Sequence, residues 1–152
     1  MSETPAACVR VVLVEPAAPG NIGSVARVLK NTGFHDWVLV NPGVWRTDEA
    51  EWMAHGAADL LDGVRVVASL DDAVADCHLV VGTTHRDGRF RVVEDDYRAV
   101  LAETGAVAAQ GHRVALLFGR EKDGLSRDAV LRFPRQYAQR NTRVATRRIL
   151  SP

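Results

Sequence analysis

The stretch VRVVLVEPAAPGNIGSVARVLKNTG, residues 9–33, predicts a strand, a loop and a helix in immediate succession. Its first seven residues are mostly β-branched or apolar and stop at Pro16, which is typical of a buried strand. Apolar residues then recur at helical spacing from Ile22 to Leu29, and Gly33 is placed to end the helix. A strand that leads directly into a helix is the repeating unit of parallel α/β sheets.

The same alternation continues along the chain. Further apolar strands are predicted at 36–42, 64–68, 77–84 and 112–119. Helical segments are predicted at 48–61, 69–77, 94–110 and 126–133. Strands that are apolar throughout indicate a parallel sheet with helices on both faces. Ligands of such sheets bind beyond the carboxyl ends of the strands. Trp45 and Trp52 are expected to anchor the packing of the helical segment 48–61.

Composition limits the classes of protein that this chain fits. Its 152 residues suffice for one domain with a real core. It has no apolar run of the roughly 18 residues that a membrane helix needs, and no basic-then-apolar leader, so we expect a cytoplasmic protein. Cys8 and Cys77 lie in strand-like apolar surroundings and are expected to be buried, reduced thiols.

Charge is balanced overall but unevenly placed. Residues 129–152 contain six arginines and no acid, which leaves a net charge of −6 on residues 1–128. The body of the chain is therefore a poor electrostatic attractor for nucleic acid. Any RNA contact is expected from local basic patches or from the C-terminal segment.

The loop before the first helix favours an anion. Pro19 to Gly23 brings small residues to a helix N-terminus, whose unpaired N–H groups suit phosphate. Arg27 lies on the side of the helix opposite Leu29, with Gly23 one turn earlier and expected to leave open space beside it. Such an arginine is either a solvated surface residue or a group placed to contact phosphate or developing negative charge. The glycine spacing matches neither of the usual nucleotide-binding motifs.

Two later strand ends carry further polar groups. VVGTTHRDGRF (80–90) offers two threonine hydroxyls and then a basic loop, and ALLFGREKDGLS (115–126) puts Arg120 and Glu121 directly after a buried strand. Plain exposed turns are the alternative reading of both. No Ser-His-Asp set, Cys-His pair or HExxH motif can be assembled, and His85 is not spaced for a metal.

Together, PGNIGSVARVLKNTGF (19–34) and these two segments resemble the SPOUT class of RNA methyltransferases, and most closely the TrmJ-type tRNA 2′-O-methyltransferases of the TrmH/SpoU group. The similarity runs from about residue 9 to 134. It implies an α/β knot fold, a homodimer, S-adenosylmethionine as cofactor, and a ribose 2′-OH of tRNA, in the anticodon-loop region, as methyl acceptor.

The resemblance also implies roles for individual residues. Arg27 matches the catalytic arginine of the family. The cofactor-binding positions matched are Thr83, Thr84, His85, Gly119 and Phe133. The positions expected to contact RNA are Asn21, Gly23, Arg86, Arg89, Arg120 and Glu121.

The chain departs from the family after LRFP (131–134). The family continues with a Ser-Leu-Asn loop and a long apolar helix, whereas this chain reads RQYAQRNTRVATRRILSP. We therefore expect a domain over 1–134 with an incomplete knot, followed by a disordered, Arg-rich tail over 135–152. A reading-frame shift or a natural basic tail would both give this pattern. The alternative to an active enzyme is an inactive remnant that at most binds RNA.

Overall fold

A computed structural model describes residues 4–84, 93–94, 96–131, 135–139 and 142–148. Its centre is a sheet of five parallel strands, which are Val9–Val14 (β1), Asp36–Val40 (β2), Arg65–Val67 (β3), Leu79–Thr84 (β4) and Val114–Phe118 (β6). Their spatial order is β3-β2-β1-β6-β4. The predicted parallel α/β sheet is confirmed.

The helices occupy the connections between these strands. They are Pro19–Thr32 (α1), Asp48–Met53 (α2), Ala58–Gly63 (α3), Leu70–Val74 (α4), Tyr97–Ala109 (α5) and Arg127–Leu131 (α6), and a 3-10 turn, Pro5–Cys8, precedes β1. Side chains of Thr47, Ser69 and Asp96 accept backbone N–H groups at three helix starts. None of the helices in the described ranges has the length and apolar character needed to cross a bilayer.

Three strands extend the sheet beyond β4. Strand β8 (Thr142–Arg148) pairs antiparallel with β4, β7 (Arg135–Gln139) pairs antiparallel with β8, and β5 (Val93–Glu94) pairs parallel with β7. Residues 135–139 and 142–148 of the Arg-rich segment thus form strands of this sheet. Thr142, Val144 and Thr146 supply β-branched residues at alternate positions, and the exposed edge of β4 offers unpaired backbone groups to a further strand.

Each face of the sheet carries its own core. Val12 and Val14 of β1 point to the face covered by α4 and α6, and Val11 and Leu13 point to the face covered by α1 and α3. Helix α5 covers the part of that second face near β4 and β6. Burial of both faces explains why the strands are apolar at consecutive positions.

The segment 48–61 is helical but irregular, as its sequence predicts. It forms two short helices, and the buried Ala50 and Ala54 face α1. Trp52 lies on the opposite side of α2 and is 80% exposed, so its expected role as a packing anchor is wrong. Trp45 does pack, partly buried, against the core below α1. The most buried tryptophan is Trp37, which donates its indole N–H to the Leu60 carbonyl oxygen at 2.9 Å.

Charges meet at the amino ends of the strands. Arg10 is only 4% exposed, and its Nε lies 3.0 Å from an Asp36 carboxylate oxygen while its Nη1 and Nη2 donate to Asp76. Arg113 also reaches both carboxylates. Burial opposes the charge of Arg10, but the hydrogen bonds to Asp76 and Asp36 raise its pKa. A buried charge of this kind is tolerated because it is fully paired.

The cysteines behave as their surroundings predict. Cys8 and Cys77 are both buried thiols outside any disulfide. Burial raises the pKa of the Cys77 thiol to about 11, so this side chain is neutral at physiological pH.

Candidate active site at the carboxyl edge of the sheet

The carboxyl ends of β1, β6 and β4 lie side by side, so the segments that follow them meet at one edge of the sheet. The segment after β1 leads into α1 and Arg27. The segment after β6 is the turn Gly119 to Gly124. The last residues of β4 are Thr83 and Thr84. The fold therefore brings together the three sequence segments predicted to carry the site.

Arg27 is exposed on α1 and forms no hydrogen bond or ion pair with any residue in the described ranges. The neighbouring cations differ from it. Lys30 pairs with Asp59, and Arg46 pairs with Glu51 and Asp62. The Arg27 guanidinium is thus available to an external anion, as its place on the polar side of the helix predicts.

Gly23 does not provide the open space expected beside Arg27. It is buried, and a Cβ added there would lie 2.1 Å from the Ala50 carbonyl oxygen of α2. At Gly20, an added Cβ would lie 2.5 Å from the Glu49 carboxylate. Gly23 lets the backbones of α1 and α2 approach closely, whereas the group near Gly20 is the end of the flexible Glu49 side chain. Gly23 is therefore a packing residue and does not form part of an RNA-facing surface.

The anion at the start of α1 comes from the protein itself. The Glu121 carboxylate accepts the backbone N–H groups of Ala17 and Ala18 at 2.9 and 3.0 Å, and the side-chain amide of Asn21 at 3.2 Å. Partial burial opposes ionisation of Glu121, but these hydrogen bonds prevail and hold its pKa below the usual value. The predicted preference of this loop for an anion is real, and an internal carboxylate satisfies it.

The turn after β6 is closed by backbone contacts. The N–H of Arg120 donates to the Gly124 carbonyl oxygen at 3.0 Å, and the Gly124 N–H donates to the Arg120 carbonyl oxygen at 2.7 Å. A Cβ added at Gly119 would lie 2.0 Å from the Leu125 nitrogen. Leu125 is completely buried and anchors the turn from below. The Arg120 side chain remains exposed.

At the end of β4, the Thr83 hydroxyl donates to the Leu117 carbonyl oxygen at 3.1 Å and so ties β4 to β6. Thr84 is the last residue of the strand and stands in register with Arg143 of β8. The predicted site residues His85, Arg86, Arg89 and Phe133 lie outside the described residues.

Sequence reasoning missed an apolar groove beside α1. It has a volume of about 510 Å³ and lies between the helix and strands β1 and β6. Val11, Leu13, Leu116 and Phe118 form its floor, and Val25 and Val28 form one wall. Val28 is 59% exposed and Phe118 is 41% exposed. An apolar Val28 outside the core-facing stripe of α1 was the available sequence signal.

Polar groups close one end of this groove, where Asn21 and Glu121 meet above the strand ends. Across the part of the chain that the structure describes, no cluster of three or more His, Cys, Asp or Glu side chains is placed to bind a metal ion.

Residues 8–138 match the SpoU rRNA Methylase family. The chain belongs to this family. The match covers every described strand of the parallel sheet and ends within β7. Neither this match nor the relatives below support the alternative of an inactive remnant.

Two similar proteins are named as tRNA methyltransferases. The chain is 40% identical over 124 residues to the tRNA (cytidine/uridine/adenosine-2′-O-)-methyltransferase TrmJ of Pseudomonas aeruginosa, which covers 82% of this chain and 48% of the relative. It is 42% identical over 120 residues to the tRNA (cytidine/uridine-2′-O-)-methyltransferase TrmJ of Citrobacter koseri, covering 79% of this chain and 49% of the relative. The chain thus spans about half the length of these curated relatives.

Solved structures of SpoU methylases share the fold. TrmJ from Z. mobilis ZM4 superimposes with a TM-score of 0.73 at 34% identity, over 88% of this chain and 59% of that chain. AviRb from Streptomyces viridochromogenes, solved in complex with the cofactor AdoMet, superimposes with a TM-score of 0.53 at 22% identity, over 78% of this chain and 45% of that chain. The second likeness shows the fold alone.

Proposed function

We propose that this SpoU methylase transfers a methyl group to a ribose 2′-OH of tRNA, in the anticodon-loop region, and uses S-adenosylmethionine. The observation that carries the proposal is Arg27, an exposed arginine without an acidic partner in the described chain, on the helix that starts at the strand-end edge. The TrmJ relatives, at 40% and 42% identity, support the reaction and the tRNA substrate.

The role of Arg27 follows from its chemistry. A guanidinium with a pKa above 12 is a poor base, so Arg27 acts by polarising the ribose hydroxyl or by contacting the adjacent phosphate. Transfer of a methyl group directly to oxygen needs no covalent intermediate on the enzyme. Catalysis then depends mainly on holding the hydroxyl and the methyl group in line.

The cofactor is proposed to bind at the ends of β4 and β6, where S-adenosylmethionine supplies the methyl group. Thr83, Thr84 and Gly119 lie there, and His85 and Phe133 complete the set by resemblance. The closed, half-buried turn at Gly119 offers backbone groups to the polar parts of such a ligand.

The RNA contacts are proposed to be electrostatic and local. Arg86, Arg89 and Arg120 are the basic side chains assigned to the phosphate backbone, and Asn21 at the start of α1 is the polar residue assigned with them. Gly23 and Glu121 leave this set, because the structure gives both of them packing or capping contacts inside the protein. Such a tRNA-modifying role belongs to the cytoplasm.

A homodimer is proposed to bury the apolar groove beside α1. The exposed side chains of Val28 and Phe118 are unusual for a surface that stays in water. A second copy of the chain that packs against this flank of α1 would cover them.

The test is methyl transfer from labelled S-adenosylmethionine to unmodified bulk tRNA. The wild-type chain is expected to incorporate label, and Arg27→Ala is expected to lose at least about a hundredfold in kcat, as for other groups that stabilise developing charge. Arg65→Ala is the matched control, because Arg65 is also exposed and has no ion pair with a described residue. It should stay within twofold of wild type.

Two results would contradict the proposal. One is the absence of transfer by a folded wild-type chain that binds S-adenosylmethionine. The other is an Arg27→Ala variant as active as the Arg65→Ala control.

A further inference from the structure

Helix α1 begins without a local cap. Its N-cap residue is Ala18, whose side chain has no acceptor, and Pro19 follows at the first helical position. A helix start normally needs a Ser, Thr, Asp or Asn side chain to accept its unpaired N–H groups. Here the acceptor is Glu121, more than 100 residues away in the sequence.

The contact uses both oxygens of the Glu121 carboxylate. Oε2 accepts the Ala17 N–H at 2.9 Å, and Oε1 accepts both the Ala18 N–H at 3.0 Å and the Asn21 amide at 3.2 Å. These partners lie in the loop before α1 and in its first turn. One charged group therefore fixes the loop and the helix start relative to the turn that carries Glu121.

Both sides of this contact are firmly held. The turn is closed by the two hydrogen bonds between Arg120 and Gly124 and anchored by the buried Leu125. On the other side, α1 packs against α2 through Gly23 and over the core through Ile22. The carboxylate therefore links two elements that are each held in place by other contacts.

We propose that Glu121 is a positioning residue that couples the cofactor-side turn at Gly119 to the helix that carries Arg27. The inference rests on the proposed function and extends it, because it links the two halves of that site. The carboxylate holds the start of α1 in place relative to that turn, and Asn21 takes part through its amide. Glu121 itself does not contact RNA.

The coupling depends on a carboxylate with both oxygens available. Glu121→Gln keeps the size of the side chain but replaces one acceptor oxygen by an NH₂ group, which faces N–H donors and repels them. The Ala17 and Ala18 N–H groups then lose at least one acceptor, and α1 is no longer tied to the turn.

The first measurement is direct and needs no activity. In the wild-type chain, the amide proton resonances of Ala17 and Ala18 should titrate together with Glu121 as the pH is lowered, and these amides should be protected from hydrogen exchange. In Glu121→Gln the titration should vanish and exchange of both amides should accelerate at least tenfold. Lys122→Ala is the matched control, since Lys122 is exposed in the same turn and has no hydrogen bond to a described side chain; it should behave as wild type.

The second measurement is kinetic. Glu121→Gln should lower kcat for tRNA methylation at least tenfold while the KM for tRNA stays within twofold, because the basic side chains assigned to the phosphate backbone, Arg86, Arg89 and Arg120, are not altered. A lost RNA contact would instead raise KM. Lys122→Ala should leave both parameters within twofold of wild type.

The outcomes separate the two proposals. Unchanged amide exchange, an unchanged kcat or a raised KM in folded Glu121→Gln overturns the positioning role of Glu121. If the wild-type chain transfers no methyl group, the proposed function fails. In that case, Ala17 and Ala18 amide protons that titrate with Glu121 and resist hydrogen exchange would still support the contact between the turn and α1. Rapid exchange of both amides in the wild-type chain would overturn that contact.

Discussion

The backbone of α1 comes very near to α2 at Gly23, where an added Cβ would lie 2.1 Å from the Ala50 carbonyl oxygen. Gly23 of α1 faces Ala50 and Ala54 of α2, so small residues lie on both sides of this contact. At Gly23 the nearest atoms belong to the backbone of α2, so a larger side chain fits there only if backbone moves. The arrangement sets the direction in which the next turn of α1 presents Arg27.

Gly23→Ala is therefore expected to destabilise the fold. A methyl group placed 2.1 Å from a backbone oxygen forces the helices apart, at a cost of about 1–3 kcal/mol in the free energy of unfolding. Gly105→Ala in α5 is the matched control, because an added Cβ there meets nothing within 4 Å. It should raise the free energy of unfolding by about 0.4–1 kcal/mol. Urea denaturation measures both, and equal stability of the two variants would contradict the packing argument.

Cys77 is expected to resist alkylation in the folded protein. Burial raises its pKa to about 11, so almost none of the reactive thiolate is present at neutral pH. Iodoacetamide at pH 7.5 should modify Cys77 only after denaturant is added, as followed by mass spectrometry of the peptide that contains it. Rapid modification without denaturant would show that the amino ends of the strands open to solvent.

Among the elements, α1 is held on two flanks by different means. Close packing at Gly23, which has no side chain, joins α1 to the backbone of α2. The Glu121 carboxylate joins the start of α1 to the turn after β6 by hydrogen bonds. Its third flank, toward β6, is the open groove. The helix that carries Arg27 is thus fixed in place while one of its sides stays accessible.

The ion network at the amino ends of the strands should make stability depend on acid. The Arg10 hydrogen bond lowers the pKa of Asp76 well below its usual range, although burial opposes this. A depressed carboxyl pKa stabilises the fold above the unfolded value of about 4 and loses that effect as pH falls further. The free energy of unfolding should therefore decline from about pH 5 downward, and less steeply in Asp76→Asn.

Guanidinium chloride unfolding between pH 5 and 2.5 measures this slope. Asp128→Asn serves as the control, because Asp128 is exposed and outside the ion pairs of the described chain. It should reproduce the wild-type slope. Parallel pH profiles for Asp76→Asn and wild type would mean that the Arg10 network does not control acid stability.

Local patterns predict most of these elements correctly, and the failures have physical causes. The consecutive apolar residues of 9–14 and the capping residue Ser69 are visible in one segment, and both are confirmed. The sequence predicts a buried Trp52, but the structure exposes it. The segment is too short for the spacing of its apolar residues to show that the helix ends at Ala54. The contact of Glu121 with Ala17 depends on the sheet order that places β6 beside β1, and no local pattern contains that order.

At the scale of the whole molecule, the groove beside α1 should drive self-association. Val28→Lys places a charge on its exposed wall and is expected to shift the chain toward monomer in sedimentation velocity, with little loss of stability because Val28 is 59% exposed. Leu101→Lys is the matched control, since Leu101 is 52% exposed on α5 and outside the groove. A monomeric wild type, or a Val28→Lys variant that associates as wild type does, would contradict the proposed homodimer.

The candidate site could be located from sequence only by segment. The edge of the sheet and the side of α1 that bears Arg27 follow from alternation of strands and helices together with the spacing of apolar residues. The partner of each polar group does not follow from them. The sequence predicts open space at Gly23 because its neighbour Ala50 belongs to another element, 27 residues later in the chain. The groove is not visible in the sequence for the same reason, since its walls come from α1, β1 and β6.

The sheet order also has a consequence for synthesis on the ribosome. Strand β1 is translated first and finds β2 soon afterwards, but its other neighbour is β6, so that Val9 pairs with Val114. Until β6 emerges, one edge of β1 is an unpaired, apolar edge exposed to neighbouring nascent chains. The pairing of β1 with β6, which joins the two halves of the sheet, can therefore form only after most of the chain has been synthesised.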